Sequence, residues 1–174
     1  MGDLLSSSLV LWAVAALTVF WAVGAYNRLM RLRSAALQAF GALDTYLLGL
    51  VSLLRECDAQ AAVADHDPSD GCGAPLGAMA AQFGASLVAA RAQPLRPASL
   101  AALAAARDTL RVAWEQTAEH RTKPQRRQWN LRATQVSQAS LAFNDAVQHY
   151  NAAIAQFPAL MLSWLFGFKP ARPL

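Results

Sequence analysis

The sequence predicts an all-α fold in which a single N-terminal transmembrane helix continues into an up-down antiparallel helical bundle of about four helices. Three observations support this: residues 4–25 are apolar and uncharged, apolar residues recur at steps of three and four beyond them, and no segment alternates like a strand. The 174 residues suffice for the anchor and one ordinary domain. We expect an anchor at 1–25, a bundle at 26–157 with a loop at 58–75, and an apolar interfacial segment with a tail at 158–174.

The apolar run is long enough to cross a bilayer. A helix over residues 4–25 measures roughly 33 Å, against a hydrocarbon core of about 30 Å. Arg28, Arg31 and Arg33 follow at once, which by the positive-inside rule puts the N-terminus outside and the bulk of the chain in the cytoplasm. A cleaved signal peptide is the alternative, because residues 23–25 have the small side chains of a cleavage site, although no Lys or Arg precedes the run.

The basic charge of the chain fits a membrane surface. The formal net charge is +4 and the pI is about 9.6, but no basic patch with interleaved aromatic residues supports nucleic-acid binding. Much of the positive charge lies in two groups that flank the expected bundle and suit contact with lipid head groups, namely Arg28, Arg31, Arg33, Lys169 and Arg172.

No pattern in the sequence predicts a metal site, a cofactor or catalysis. Cys57 and Cys72 are too few for a disulfide framework, and we expect reduced thiols. His66, Cys72 and the aspartates of the loop at 65–75 do not match zinc or calcium spacing. No nucleophile stands near a histidine at motif spacing, so a hidden hydrolase is the least favoured class.

The first cytoplasmic helix is expected over residues 26–57, where no proline interrupts the pattern. Asp44 should lie on the polar flank of this helix. If its carboxylate were buried instead, it would need a partner such as Arg132 or Gln135. One apolar seam follows this helix: Leu29, Leu32, Ala36, Phe40, Leu43, Leu47, Leu50 and Leu54.

Prolines and turn residues divide the rest of the bundle into three helices. The second covers residues 76–93, the third is capped by Ser99 and ends near His120, and the fourth runs from 126 to 157 after a break at 121–124. Their candidate core residues are Met79, Phe83, Leu87 and Ala90, then Leu100, Leu103, Leu110 and Trp114, then Leu131, Val136, Ala139, Phe143, Val147, Tyr150 and Ile154.

The two outer helices have matching lengths, so Phe157 should return to the level of Tyr26 at the lipid surface. The segment at 159–168 is too short to span a bilayer. It carries the aromatic residues of an interfacial belt, followed by a basic residue: Trp164, Phe166, Phe168 and Lys169. Packing of this segment against the base of the bundle is the alternative, and both arrangements are compatible.

Three asparagines follow aromatic residues at this end of the bundle: Tyr26-Asn27, Phe143-Asn144 and Tyr150-Asn151. We expect these asparagines to fix helix register by bonding to one another across the seam, with the tyrosine hydroxyls at the water boundary. A small polar binding site at the membrane surface is the alternative.

Several ordered motifs together resemble the LemA family of bacterial membrane proteins. All but one of them lie towards the two ends of the chain. In order they are Tyr26-Asn27-Arg28-Leu29, Leu32-Arg33, Asp44, the mid-chain Val88-Ala89-Ala90-Arg91, Phe143-Asn144-Asp145-Ala146-Val147, Tyr150-Asn151, Phe157-Pro158 and Leu165-Phe166-Gly167-Phe168-Lys169-Pro170. The resemblance implies a coiled-coil-like cytoplasmic bundle on an anchor of the bacterial inner membrane, without established enzymatic activity.

The expected function is therefore that of a non-enzymatic, membrane-anchored scaffold or adaptor. Its partners would be the lipid bilayer and either another membrane protein or a second copy of the chain, because anchoring raises the effective concentration of both. The alternative is a ligand-binding or sensor module with a polar site lined by Asn27, Asn144 and Asn151.

Overall fold

The computed structural model describes residues 2–63, 74–157, 160–161 and 167–174, and over these residues it contains helices and no strand. The described residues form four α-helices and one short 3₁₀-helix. Their bounds are α1 Gly2–Val63, α2 Ala74–Ala92, α3 Pro97–Thr117, the 3₁₀ turn Ala118–His120, and α4 Lys123–Ala155.

Helix α1 runs without a break from the apolar N-terminal segment into the bundle. It ends at Val63 rather than at Cys57, so the first part of the predicted loop at 58–75 is helical instead. Residues 59–63 are mostly alanine and contain no Gly or Pro, which explains the longer helix. Residues 64–73, the remainder of that loop before α2, lie outside the described part of the chain.

The two halves of α1 have different surroundings. Between Val10 and Val23 the large apolar side chains are exposed on every side of the helix, with Phe20 exposed to 79%. Within Val10–Gln60 an 18-residue stretch has a mean hydropathy of 1.6 and no buried residue, which gives one helix long and apolar enough, by length and composition, to cross a membrane. An N-terminal signal sequence has the same properties.

The apolar seam predicted for α1 is confirmed, since Leu32 is partly buried and the other seven residues are buried. Helix α4 packs along this seam in the opposite direction. The pairing is seen in ring contacts of Trp21 with Phe157 and of Phe40 with Phe143, whose centroids are 5.3 Å and 5.8 Å apart. Phe157 therefore reaches the end of the apolar segment that is nearest to the bundle, close to the level of Tyr26 expected from the helix lengths.

Helices α2 and α3 form the second pair, joined by a tight turn. Their predicted core residues are confirmed, with Met79 partly buried and the others buried. The two pairs meet through the Asp44–Arg91 ion pair between α1 and α2 and through a Trp114–Trp129 stack between α3 and α4, with centroids 4.4 Å apart. One hydrophobic core thus connects all four helices.

The start of α3 differs from the prediction. Arg96 occupies the N-cap position and Pro97 the first turn, whereas Ser99 lies inside the helix. The Ser99 hydroxyl donates to the carbonyl oxygens of Gln93 and Arg96, at 2.8 Å and 2.9 Å, and so ties the turn to the helix. Proline is favoured at this place because its fixed φ is helical and its missing N–H is not needed there.

Helix α4 also begins earlier than predicted, at Lys123, with Pro124 in its first turn. Thr122 and Gln125 form a capping box, in which each side chain accepts a hydrogen bond from the backbone N–H of the other residue. The prediction that Leu131 belongs to the core is wrong, because its side chain is 59% exposed. Trp129 is buried instead, seven positions before Val136 and therefore on the same face of the helix.

Candidate functional site

Helix α4 carries two asparagines seven positions apart at the end of the bundle that faces the apolar half of α1. Seven residues are about two helical turns, so Asn144 and Asn151 lie on the same flank of α4. Both are half-buried, and each follows a buried aromatic residue, Phe143 or Tyr150, that fixes this face of the helix against the core.

Residues 167–174, which we call the tail, run back along α4 from this end towards its middle. Gly167 has a φ of +68°, a left-handed conformation that glycine adopts without the steric cost of a side chain. Residues 168–174 are neither helix nor strand. Their order along α4 is set by contacts of Lys169 with Tyr150, of Ala171 with Asn151 and of Leu174 with Asn144.

Each of these asparagines pairs with one residue of the tail through two hydrogen bonds. Asn151 Nδ2 donates to the carbonyl oxygen of Ala171 at 2.8 Å, and its Oδ1 accepts from the Ala171 N–H at 2.9 Å. Asn144 makes the same pair with the backbone oxygen and N–H of Leu174, both at 2.7 Å. The Tyr150 hydroxyl donates to the Lys169 carbonyl oxygen at 3.3 Å. We call Asn144, Tyr150 and Asn151 the amide clamp.

The tail is buried where it meets the clamp. Ala171 is only 5% exposed, and Phe168 and Leu174 are partly buried against the core. Burial raises the pKa of the Tyr150 hydroxyl, while Arg33 opposes that shift. Even an ordinary tyrosine titrates at about 10, so the hydroxyl is protonated at neutral pH and can act as the donor to the tail.

The expectation that the asparagines bond to one another across the helix seam is corrected by these contacts. An Asn side chain carries one donor group and one acceptor, and in Asn144 and Asn151 both are used by the tail. Asn27 is exposed on α1, and the neighbouring Tyr26 ring packs instead against Phe168, with centroids 6.2 Å apart.

The residues expected at the membrane surface fall into three groups. Arg28 and Arg31 are exposed, whereas the Arg33 guanidinium lies over the Phe168 ring, 5.9 Å from its centroid. The Lys169 side chain is exposed. Trp164 and Phe166 lie outside the described residues. Of the two arrangements considered for this segment, packing against the bundle holds for Phe168.

The opposite end of the bundle gathers charge around a stacked pair of tryptophans. The Arg121 guanidinium lies over Trp114, 5.7 Å from the ring centroid. Burial raises the pKa of the Cys57 thiol, and it also raises the pKa of Asp58, a shift that Arg121 opposes. Cys72 and the aspartates of the loop at 65–75, namely Asp65, Asp67 and Asp70, lie outside the described residues.

Asp44 has a different partner from the two that the sequence suggested. Its Oδ1 lies 2.6 Å from Arg91 Nε, so the ion pair joins α1 to α2 and not to α4. Arg132 instead approaches Gly49, where its Nη1 lies 3.0 Å from the position a Cβ would occupy, and Gln135 has a buried Oε1. About a fifth of the Asp44 side-chain surface remains exposed to solvent, so we assign the pair a modest stabilising role.

Within the described ranges no group of three or more His, Cys, Asp or Glu side chains could hold a metal ion. His66 and Cys72 are not in those ranges. The amide clamp is the most specific polar arrangement at the predicted base of the bundle, and what it binds is peptide backbone. Comparison with protein-family models, with curated proteins and with solved structures finds no match for this chain.

Proposed function

We propose that this chain is a non-enzymatic, membrane-anchored helical bundle that acts as a scaffold or adaptor for other membrane proteins. The observation that carries the proposal is the continuity of α1, whose exposed apolar half passes directly into the seam that organises the bundle. Such a helix would hold the bundle at a fixed height above the membrane, with the tail and the end of α4 at the lipid surface.

The physical support is the cost of leaving that surface in water. Burying apolar area stabilises by about 25 cal/mol per Å². Within the described residues, the large apolar side chains between Val10 and Val23 are each at least 47% exposed, and Trp21 packs on Phe157 at the end nearest the bundle. A bilayer covers all of them at once, and Arg28 and Arg31 are then next to the head groups. The resemblance to the LemA family supports the same architecture, in the bacterial inner membrane with the N-terminus outside.

Photo-crosslinking in intact bacterial membranes tests the scaffold role. A crosslinking residue placed at Val88, Leu131 or Leu141, all exposed apolar positions on the bundle, should capture a second membrane protein or a second copy of the chain. The same variants diluted in detergent serve as the control and should lose the adduct with a second membrane protein. Monomer alone at all three positions in membranes would contradict a scaffold.

Protease access tests the proposed orientation. Protease added outside spheroplasts should leave the bundle intact, and the same protease should digest it once the membrane is opened. Cleavage of the bundle in sealed spheroplasts would place it on the other side of the membrane.

The ligand-binding alternative takes a different form from the small polar pocket suggested by the sequence. Because the amides of Asn144 and Asn151 pair with the tail and Asn27 is exposed, the three asparagines do not converge on one point. Their chemistry favours a peptide over a small molecule.

A further inference from the structure

The amide clamp has the properties of a receptor site that the chain fills with its own tail. We infer that it is a binding site for a polypeptide segment in polyproline II conformation, and that the tail of a second copy of the chain occupies it by exchange. This inference goes beyond the proposed function, because it holds in detergent as well as in a bilayer.

The clamp recognises backbone rather than side chains. All five hydrogen bonds between clamp and tail end on backbone N–H groups or backbone oxygens of the tail. The charged side chains of Lys169 and Arg172 are exposed and take no part. The class of ligand is therefore set by backbone conformation and by the room available at Ala171, which is buried.

The spacing of the bonds identifies that conformation. Asn144 and Asn151 are separated by about 10.5 Å along α4, which matches three residues of polyproline II at about 9.3 Å. Polyproline II repeats every three residues, so residues 171 and 174 present their backbone groups to the same side; in a strand, residues three apart face opposite sides.

The prolines of the tail agree with this register. Pro170 and Pro173 directly precede the two bonded residues, and each fixes φ near the polyproline II value. A proline has no N–H to donate, and the clamp accepts from the N–H groups of Ala171 and Leu174, not from positions 170 and 173. A segment with prolines three apart, each followed by a residue with a free N–H, therefore fits the clamp.

The identity of the two tails allows exchange between copies. The tail of a second copy would make the same five bonds in the same clamp, which is the condition for swapping an element between protomers. The tail is also weakly attached. Each hydrogen bond shifts the equilibrium between bound and released tail by only about fivefold, and Ala171 is the one buried residue of the tail.

A complementation experiment with full-length chains tests the exchange. The clamp-deficient variant N144D/N151D keeps its tail but replaces each amide donor by an oxygen that faces a backbone oxygen. The tail-deficient variant A171Q keeps its clamp but forces a larger polar side chain into the buried Ala171 position. The two variants carry different tags, are mixed in detergent and are pulled down through one tag.

We expect the mixture to form a mixed dimer, with at least about tenfold more capture than either variant shows with itself. The controls are N130D, one such charge change at an exposed position of α4, and R172Q, the same new side chain at an exposed position of the tail. Replacing either deficient variant by its control should reduce capture without abolishing it, because an intact tail and an intact clamp in one chain compete with exchange between chains.

Capture no higher in the mixture than in the single variants, with helicity unchanged, would overturn the exchange. Should N144D/N151D lose helicity, a labelled peptide of residues 168–174 added to A171Q provides the second test. That peptide should bind A171Q, and the same peptide with Gln at its Ala171 position should not; equal binding of the two, or binding of neither, would overturn the site. Neither result depends on whether α1 crosses a membrane.

Discussion

An asparagine side chain offers a donor and an acceptor side by side, as a peptide unit of the backbone does. A helix cannot use its own backbone to bind an extended segment, because its N–H and C=O groups are paired along the axis. Asn144 and Asn151 supply the missing groups on the flank of α4. The tail thereby satisfies its polar backbone at Ala171, where water is excluded.

Amide hydrogen exchange should report this pairing residue by residue. We expect slow exchange at the N–H groups of Ala171 and Leu174 and faster exchange at Arg172, whose N–H is not bonded to the clamp. Asn151→Asp keeps the oxygen that accepts from the Ala171 N–H but removes the amide that donates to the Ala171 carbonyl oxygen. Loss of that bond weakens the hold of the clamp on the tail and should raise the exchange rate at Ala171 by about fivefold or more. Asn130→Asp is the control; uniform exchange at all three positions would contradict the clamp.

At the other end of the bundle, burial acts on a carboxylate. Burial raises the pKa of Asp58 and Arg121 lowers it, with burial dominant. The folded state then binds the proton more tightly than the unfolded state, whose carboxyl titrates near 3.9. Stability is therefore highest below the unfolded pKa and falls as pH rises towards the folded pKa.

Asp58→Asn should remove that dependence. We expect the variant to be more stable than the parent at pH 7 and equal to it near pH 3, where Asp58 is protonated in both states. Thermal unfolding at the two pH values measures the difference. Asp108→Asn, at an exposed carboxylate, should change the free energy of unfolding by no more than about 0.5 kcal/mol. An Asp58→Asn variant less stable than the parent at pH 7 would show that the attraction of Arg121 outweighs burial.

At the scale of the helices, the sequence predicted what depends on periodicity and missed what depends on caps and distant partners. The seam of α1 was predictable because its period is a property of the helix itself. The start of α3 was not, because Pro97 competes with Ser99 for the first turn. The choice of Trp129 over Leu131 depends on Trp114 of another helix, which no local pattern reveals.

The same limit applies to the candidate site. The sequence identified Asn144, Tyr150 and Asn151 as unusual, and the structure places them together. Their ligand, the tail, lies about 20 to 30 positions further along the chain, in a segment without periodicity. The one available signal was the match between prolines three apart and asparagines seven apart.

The capping box at the start of α4 should contribute measurably to stability. Thr122→Ala removes the hydroxyl that accepts from the Gln125 N–H and should lower the free energy of unfolding by about 1 kcal/mol. Thr134→Ala, on the same helix, removes an exposed hydroxyl that bonds within the helix and should be neutral or slightly stabilising. Equal effects in chemical denaturation would argue against the cap.

The register of α4 can be tested with two apolar truncations. Phe143→Ala empties a fully buried site that packs on Phe40 and should lower the free energy of unfolding by about 3–5 kcal/mol. Leu131→Ala removes an exposed side chain and should change it by no more than about 0.5 kcal/mol. A large effect of Leu131→Ala would mean that α4 turns a different face to the core.

At the scale of the whole molecule, α1 combines two kinds of helix that cannot share one solvent. Its second half has the narrow seam of a bundle helix, while its first half is apolar on all sides. Water favours the bundle half, whose apolar seam is covered by other helices, and hydrocarbon favours the half that is apolar on all sides. The change falls near Arg28 and Arg31, which is where a membrane surface would lie if α1 is a retained anchor, as we propose.

A single charge in the apolar half of α1 tests that proposal. Lysine at the centre of a membrane helix is disfavoured by about 3 kcal/mol in insertion measurements, so Leu17→Lys should shift the chain from the carbonate-resistant pellet to the supernatant. Leu141→Lys introduces the same charge at an equally exposed position on α4 and should stay in the pellet with the parent. If purified chains begin at Tyr26, the apolar half is a signal peptide. If the intact parent itself is extracted, the bundle acts without an anchor.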